Sequence, residues 1–582
     1  MKKSALSGKG SARFRPVLLF VMLLAGALSA QTAEGGRTWF FFRDKGPAAL
    51  QKKSMERAAA SLSERALARR ARVAPAGRLV DDTDLPVWSG YLEELAALGI
   101  EPVVISNWLN GVSAKASPAQ IAAAANLACI SRIQPVLRGR RPLPALEPAL
   151  NRSASTSGSS LQYGHSLEQL EQIQIPAVHE LGIYGQGVCI AVFDTGFRLN
   201  HEVFDSLRVL HKRDFIQNDE ELDNQPGERS DQNSHGTMVL SIIAANKPGV
   251  MIGGAPRAEF ILAKTEDVAQ EIQAEEDNWI AAAEWAEALG ADIFSTSLGY
   301  IDWYTYADMD GNTAPITRAA DLAAGKGVVV VVAAGNEGND IWQYISAPAD
   351  GDSVLAVGAV DAEGIVASFS SRGPTSDGRI KPDVMARGIG VACIEVPPAS
   401  GTGSGYRTVN GTSAACPLAA SAAALLLCAN PELTPVEILD ALRKSATLSL
   451  TPDIDYGWGI LQCLAAVETT SSVIKPVIIP ERPALAGIFP NPAHAERDGA
   501  LTLVFDLVEP EEVDVRLYNV LGQEVGRLFQ GKIPAGTDRR VKVRWPAGIQ
   551  SLGSGLYFVV VRSGSLHESR AVTLLLSPDA AR

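Results

Sequence analysis

Ser413 stands in the stretch NGTSAACP, with no histidine, lysine or carboxylate within ten residues of it. A serine hydroxyl is a poor nucleophile at neutral pH until a base takes its proton. If Ser413 is a nucleophile, its base must come from elsewhere in the chain. Two stretches offer the missing groups: Asp194 closes the apolar run in GVCIAVFDTG, and His235 precedes another in NSHGTMVLSIIAA. A histidine with a near-neutral pKa can take the serine proton and return it to a leaving amine. A buried aspartate can fix the histidine tautomer and stabilise the imidazolium. Asn336, in AAGNEG, offers a side-chain amide to a developing oxyanion, and the backbone N–H of Ser413 at a helix start offers a second donor. The chemistry implied is acyl transfer through an acyl-enzyme. Each residue alone has a plainer reading: a turn aspartate, a capping or surface histidine, a serine N-cap. Their joint occurrence in one region, in the order Asp, His, Ser, favours the chemical one.

The elements that must position these groups are legible around them. Between residues 161 and 470, apolar runs such as GVCIAVFDTG, DIFSTSLG and GVVVVVAAGNEG alternate with helical stretches, among them 277 to 289 and 315 to 326. Strands apolar on both faces and separated by helices predict an α/β fold, a mostly parallel sheet covered on both sides. In such sheets sites gather at the carboxyl ends of strands, where Asp194, Ser297 and Asn336 fall. Ser413 opens a helix whose alanine-rich run is interrupted in composition by Pro417.

Outside this region the chain divides further. Lys2, Lys3, Arg13 and Arg15 precede the apolar run Val17 to Leu24 and small residues near Ala30, the pattern of a signal peptide and of an exported, secreted or cell-surface protein. The run falls short of the roughly 20 residues of a membrane span, and no other segment reads as one. Residues 31 to 160 hold strand-like and helical pieces. EPVVISNWLNGVSAKAS reads as strand, turn, strand, and SPAQIAAAANLACISRIQPV as a helix capped by Ser117, then a strand. This part ends in NRSASTSGSS, residues 151 to 160, a flexible linker by composition. Residues 471 to 485 are a proline-spaced stalk. From 486 to 582 the pattern turns to period two, in LTLVFDL, VDVRLYNVLGQEV, RRVKVRW, GLYFVVVRSG and SRAVTLLL, which predicts a small β-sandwich.

The 582 residues suffice for three or four domains at about 150 residues each. With 52 basic and 65 acidic residues, the net charge of −13 speaks against a nucleic-acid binder. None of the six cysteines forms a C-x-x-C pair, which speaks against a zinc site. Cys416 and Cys428 share a predicted helix and would stand about 18 Å apart, too far for a mutual bond. Buried, unpaired thiols are the expectation.

Residues 161 to 468 resemble the subtilisin-like serine protease (subtilase, peptidase S8) family. The motifs are IAVFDTG, NSHGTMV, STSLG, VVVAAGNEG, FSSRGPTSDGRIKPDV and NGTSAACP, in the family's order. The resemblance implies a secreted serine endopeptidase with Asp194, His235 and Ser413 as triad and Asn336 as oxyanion residue. It also implies that Ser297, Leu298 and Gly299, with Ala333, Ala334 and Gly335, hold substrate backbone as an added strand. Gly411 would permit tight backbone geometry before the nucleophile. Arg387 stands where the family usually has proline, and Ala414 and Cys416 where it often has methionine and alanine; none of these removes a catalytic group.

Residues 31 to about 150 resemble the family's inhibitory propeptide, a small α/β fold, which implies an autoprocessed zymogen inhibited by its own propeptide. The linker before Leu161 is the expected cut site, and RGRRP at 138 to 142 a second candidate. The last domain resembles the C-terminal sorting domain used for type IX secretion, through IFPNPA, VRLYNVLGQEV and GLYFVVV, although the tail SPDAAR lacks the usual basic ending. The partners implied are peptide or protein substrates and a secretion machinery; the alternative for this domain is an accessory sandwich. No cofactor is required for the chemistry. The family often uses structural calcium, yet no ligand set stands out. The acidic stretch 218 to 232 reads as a solvated loop, with calcium binding or a taste for basic substrates as alternatives. A binding or scaffold protein on a degenerate protease fold is the competing function; an esterase is a third.

Overall fold

The computed structural model describes residues 37–74, 78–135, 146–149, 161–269, 274–396, 405–470, 483–494, 500–534, 536–545 and 553–575. The signal, the RGRRP run, the glycine/serine linker, most of the proline-spaced stalk and the last residues of the chain lie outside these. The chain forms two compact units, divided after Ser472.

At the centre of the first unit is a seven-stranded sheet. From one edge to the other run Val384–Arg387, Leu355–Val360, Val329–Ala333, Ile293–Thr296, Cys189–Asp194, Glu259–Lys264 and Arg208–Asp214, every neighbouring pair parallel. Three of these strands, Cys189–Asp194, Ile293–Thr296 and Val329–Ala333, are the apolar runs named from the sequence. Cys189–Asp194 is buried at every residue, as expected of a strand covered on both faces. Its alternate residues Cys189, Ala191 and Phe193 face one core with Trp279 and Ala283 of helix Ala274–Leu289 and Ala319 and Ala323 of helix Pro315–Gly325. The helices Ser234–Ala244 and Thr412–Ala429 pack against each other and the sheet. Helix Thr412–Ala429 is long and apolar enough to cross a membrane, which the sequence reading did not anticipate. It is instead a core helix, with most of its apolar window buried.

That helix is not broken by Pro417, which lies inside it. Proline removes the N–H that would reach the carbonyl four residues earlier, here that of Ser413. Ser297 supplies the missing donor, its hydroxyl bonding the Ser413 carbonyl oxygen at 2.9 Å.

Residues 37 to 135 form a four-stranded antiparallel sheet in the order Pro102–Ser106, Gly111–Lys115, Arg37–Phe42, Ile130–Pro135. The strand-turn-strand and the helix Pro118–Ala124, capped by Ser117 and Gln120, fall where the sequence put them. Phe40, Leu95, Ile100 and Val112 make this sheet's own core. Its other face carries Trp39, Phe41 and Trp108 into the core of the large sheet. A separate small sheet is ordered Val391–Ile394, Tyr406–Val409, Leu146–Ala149, with both pairings antiparallel.

The second unit holds a three-stranded and a five-stranded sheet. Leu503 and Phe505 of one share a core with Val515, Leu517, Val559 and Val561 of the other, a sandwich in kind. VDVRLYNVLGQEV, which reads as one alternating stretch, belongs to two strands, Glu511–Asn519 and Glu524–Ile533. The turn between them contains Gly522 at φ 76°.

Candidate active site

Asp194 is the last residue of strand Cys189–Asp194 and fully buried. Its Oδ1 lies 2.7 Å from His235 Nδ1 and accepts the Thr195 N–H at 2.7 Å. An ionised carboxylate only accepts, so Nδ1 carries the hydrogen and Nε2 is left as the acceptor. His235 sits in the first turn of helix Ser234–Ala244, and Gly236 lets that turn close on the strand end. A Cβ on Gly236 would stand 2.4 Å from the Gly196 carbonyl oxygen and 2.9 Å from Asp194 Cβ. His235 Nε2 is buried without a hydrogen-bond partner. It adjoins a small cavity lined by Met238, Val239, Ile242, Val409, Ser413 and Ala414. His235 and Ser413, distant in sequence, thus border one space.

Gly411, not Ser413, is the N-cap residue, and Ser413 is the second residue of the helix. Gly411 has φ 149°, and a Cβ there would lie 2.9 Å from Ser413 Oγ. Any side chain at 411 would strain the backbone and crowd the hydroxyl. The Thr412 N–H donates to Asn336 Oδ1 at 2.9 Å, and the Thr412 hydroxyl bridges the Gly335 carbonyl and Asn336 Oδ1 at 3.1 and 3.0 Å. With Oδ1 bound inward, the amide nitrogen of Asn336 is the group left to donate. The Ser413 N–H belongs to the first turn, whose donors have no partner within the helix. Cys416, one turn on, reaches the carbonyls of Thr296 and Val331 at 3.4 and 3.5 Å. Burial pushes its thiol up to about 12, so it stays protonated and packs beneath the site. All six cysteines are unpaired, five of them buried and Cys428 half-buried.

Ser297, Leu298 and Gly299 continue strand Ile293–Thr296, and Ala334 and Gly335 continue Val329–Ala333, which ends at Ala333. The two segments are neighbours at adjacent strand ends. Ser346 lies against both: a Cβ on Gly299 would fall 2.2 Å from its hydroxyl oxygen, and one on Gly335 3.1 Å. Backbone groups of Ala334 are already used, its N–H by Val357 and its carbonyl by Ser346. Arg387 bonds the Ile389 carbonyl and pairs with Glu168, while its neighbour Gly388 receives the Gly411 N–H at 2.8 Å.

Several carboxylates of the acidic stretch are engaged by cationic side chains. Asp223 pairs with Arg198, and Asp231 with Arg229. Glu228 and Asp214 hold the fully buried Lys264 ammonium at 2.5 and 3.1 Å. Among the described residues no group of three or more His, Cys, Asp or Glu side chains is arranged to hold a metal ion.

A second surface, not singled out in the sequence, joins the large sheet's helices to the small α/β fold. Helix Ala274–Leu289 turns a row of carboxylates to the small α/β fold. Asp277 accepts from the Trp39 indole at 2.7 Å, from Arg37 at 3.2 Å and from the Ser113 hydroxyl. Glu284 accepts from the Ser106 hydroxyl at 2.5 Å and the N–H groups of Asn107 and Trp108 at 3.1 and 3.2 Å. Glu287 binds Arg69 and, at 2.6 and 2.8 Å, Arg70; Asp292 beyond the helix holds Arg65 and Arg72. The one available signal was the spacing, since 277, 284 and 287 recur on one helical face.

Residues 185–459 match the model of the subtilase family, Peptidase S8, and residues 37–146 match the Peptidase S8 propeptide domain of Bacteroidota. Serine protease AprX of Bacillus subtilis (strain 168) is 35% identical over 291 residues, 45% of this chain and 61% of AprX. Subtilisin E of the same strain is 34% identical over 313 residues, 53% of this chain and 72% of Subtilisin E. Subtilisin of Bacillus pumilus is 34% identical with 99% of its length covered. A solved protease structure from Pseudoalteromonas arctica matches at 25% identity, over 54% of this chain and all of that one, with a TM-score of 0.44. The class that the family match and the Bacillus relatives define is a serine endopeptidase. Within it, the chain belongs to the subtilase family and carries a propeptide domain of that family ahead of its peptidase domain.

Proposed function

We propose that the chain is an exported zymogen that hydrolyses peptide bonds through Asp194, His235 and Ser413. The observation that carries this reading is His235 Nε2, buried, unpartnered and bordering the same cavity as Ser413, while Nδ1 is pinned to Asp194. Nε2 takes the Ser413 proton as Oγ adds to the substrate carbonyl, and Asp194 stabilises the imidazolium. The amide nitrogen of Asn336 and the Ser413 N–H receive the oxyanion. Collapse expels the amine, which leaves with the proton from His235, and water then hydrolyses the acyl-enzyme. Ser297 to Gly299 and Ala333 to Gly335 bound the substrate. A serine-directed phosphonate should label Ser413 and abolish casein hydrolysis. A chain that stays unlabelled and inert on casein is instead a scaffold.

Asn336→Ala should lower kcat by about 10²- to 10³-fold with little change in KM, the range seen for such a donor in subtilisin. Steady-state kinetics on one peptide substrate checks this. A loss confined to KM would remove Asn336 from the oxyanion role.

Residues 37–146 act as inhibitor in this proposal, held on the acidic helix face, and their grip should depend on pH. Burial pushes the Asp277 carboxyl up to about 6 and the Glu284 carboxyl up to about 7. Once the propeptide leaves and the face is wet, both return toward ordinary carboxylate values. The bound state therefore holds protons more tightly. That contribution is complete below the free values and is lost as pH rises through 6 to 7. Burial also raises Asp84, but Arg70 and Lys326 outweigh it and hold that carboxyl low, so its contribution is lost only in acid. The inhibition constant of added 37–146 chain should rise about tenfold or more between pH 5.5 and 8; a flat or opposite trend refutes the argument. Export and a sorting role for residues 486 to 582 belong to the same proposal and rest on their sequence patterns.

A further inference from the structure

The acidic stretch that composition reads as a solvated loop runs directly into the base. Its last residue, Gln232, stands three before His235. Gln232 is fully buried. Its side-chain nitrogen donates to the carbonyls of Thr195 and Glu266, both at 2.6 Å, and its side-chain oxygen accepts the Val268 N–H at 3.0 Å. The stretch is thereby tied to chain just beyond the ends of strands Cys189–Asp194 and Glu259–Lys264. Asn233, also buried, is held from the other side. Its side-chain nitrogen donates to Asp223 Oδ1, and its backbone N–H donates to Asn224 Oδ1 at 2.9 Å.

Asp223 is itself anchored. Arg198 Nε donates to both carboxylate oxygens at 3.0 Å, Arg198 Nη2 donates to Oδ1 at 2.8 Å, and the Asn224 N–H donates to Oδ1 at 2.6 Å. The Arg198 side chain is 6% exposed, and a partly buried pair is screened far less than one in open water. Arg198 follows Asp194 by four residues, and its backbone N–H donates to Thr237 Oγ1 at 2.9 Å. The Thr237 hydroxyl donates in turn to the Asn233 carbonyl at 2.5 Å. A closed ring of contacts thus runs from Arg198 through Asp223 and Asn233 to Thr237 and back. His235 lies within the stretch that this ring spans. The first N–H groups of a helix have no partner inside it, so a helix start must be fixed from outside. Asn233 is the N-cap residue of helix Ser234–Ala244, yet its side chain makes no cap bond and is spent on Asp223.

We propose that Asp223 is a positioning residue for the reaction: through Asn233 it fixes the first turn of helix Ser234–Ala244, so that His235 keeps Nδ1 on Asp194 and Nε2 toward Ser413. This role rests on the reading of His235 as the base. Asp223 touches neither the triad nor a substrate; it acts through where His235 stands. A displacement of about 1 Å set off away from the chemistry can cost about 10²-fold in rate. Among the described residues, the hydrogen bonds of Asp223 and Asn233 go to Arg198, Asn224, Glu221 and Thr237, not to the segments Ser297–Gly299 and Ala333–Gly335. The loss should therefore fall on kcat and spare KM. Asp231, in the same stretch, pairs with Arg229 at 2.8 Å in a half-exposed position and supplies the contrast.

The test compares the full chain with Asp223→Ala, Asp223→Asn, Asn233→Ala and Asp231→Ala, each freed of its propeptide by the same added protease. Active sites are counted by phosphonate labelling carried to its end point, and a thermal melt accompanies each variant. Asp223→Ala and Asn233→Ala should lower kcat on one peptide substrate by about tenfold or more, with KM within twofold of wild type. The rate of phosphonate labelling should fall in proportion, since that attack uses the same base. Asp223→Asn keeps an oxygen for the Asn233 amide and should recover most of the loss. Asp231→Ala should match wild type. A smaller loss in both Asp223→Ala and Asn233→Ala, a loss confined to KM, no recovery in Asp223→Asn, or an equal loss in Asp231→Ala overturns the inference. Should Asp223→Ala melt below the assay temperature, Asn233→Ala, which removes no charge, decides alone. A wild-type chain that neither takes the label nor cleaves the peptide loses the protease reading and this role with it; an active chain indifferent to these substitutions loses this role alone.

Discussion

Ser413→Ala, with its propeptide removed by an added protease, should lower kcat by on the order of 10⁶-fold, the magnitude known for the corresponding group of subtilisin, while the folded protein keeps the melting temperature of the processed wild type. The two halves of this expectation have separate physical causes. Without Oγ no acyl-enzyme forms, and His235 Nε2 has no proton to take. The residual rate comes from the oxyanion donors and substrate binding, which the substitution leaves in place. Stability should hold because the hydroxyl is not what secures the helix start. Thr412 does that through Asn336 and Gly335, and Ser297 binds the backbone carbonyl of residue 413, which alanine also carries. Kinetics on a peptide substrate and a thermal melt, run on the same preparation, check both. Activity within tenfold of wild type would remove Ser413 from the chemistry, and a collapsed melting temperature would make the activity loss uninformative.

The second large effect is expected at the dock. Glu287→Ala removes the carboxylate that faces Arg69 and Arg70, whose side chains are 0% and 3% exposed. Arg70 keeps Asp84 at 2.8 Å, so its charge remains compensated. Arg69 keeps carbonyl oxygens of Ala291 and Lys326 but loses its only carboxylate partner among the hydrogen bonds it makes there. Breaking one side of a buried ion pair costs about 3–5 kcal/mol, which is roughly 10²- to 4 × 10³-fold in binding. Inhibition of mature Glu287→Ala by added 37–146 chain should weaken by that factor. Its casein hydrolysis should match wild type, since Glu287 touches none of the candidate site residues. A change below threefold would mean that the apolar face with Trp39 and Phe41 supplies the affinity.

The parallel sheet was legible because its strands are apolar runs with no alternation, and Asp194 and Asn336 were placed by where those runs stop. The antiparallel strands and capped helix of the small α/β fold were legible for a similar reason: Ser117, Pro118 and Gln120 form a local signal. The single helix across Pro417 was legible in the alanine-rich run that carries both Cys416 and Cys428, but the Ser297 hydroxyl that replaces the lost donor lies far away in sequence. The carboxylates of helix Ala274–Leu289 were invisible as a site, since an acidic helical face looks solvated until the fold that covers it is in view.

The acidic face has to serve two molecules. Covered, Asp277, Glu284, Glu287 and Asp292 receive indole, hydroxyl, amide and guanidinium donors from the propeptide. Bared, the same groups are charged and hydrated. A lock built from greasy side chains alone would leave the liberated protease sticky, prone to meet other copies of itself. One built on carboxylates turns into ordinary wettable surface once its key is gone, so release need not be followed by clumping.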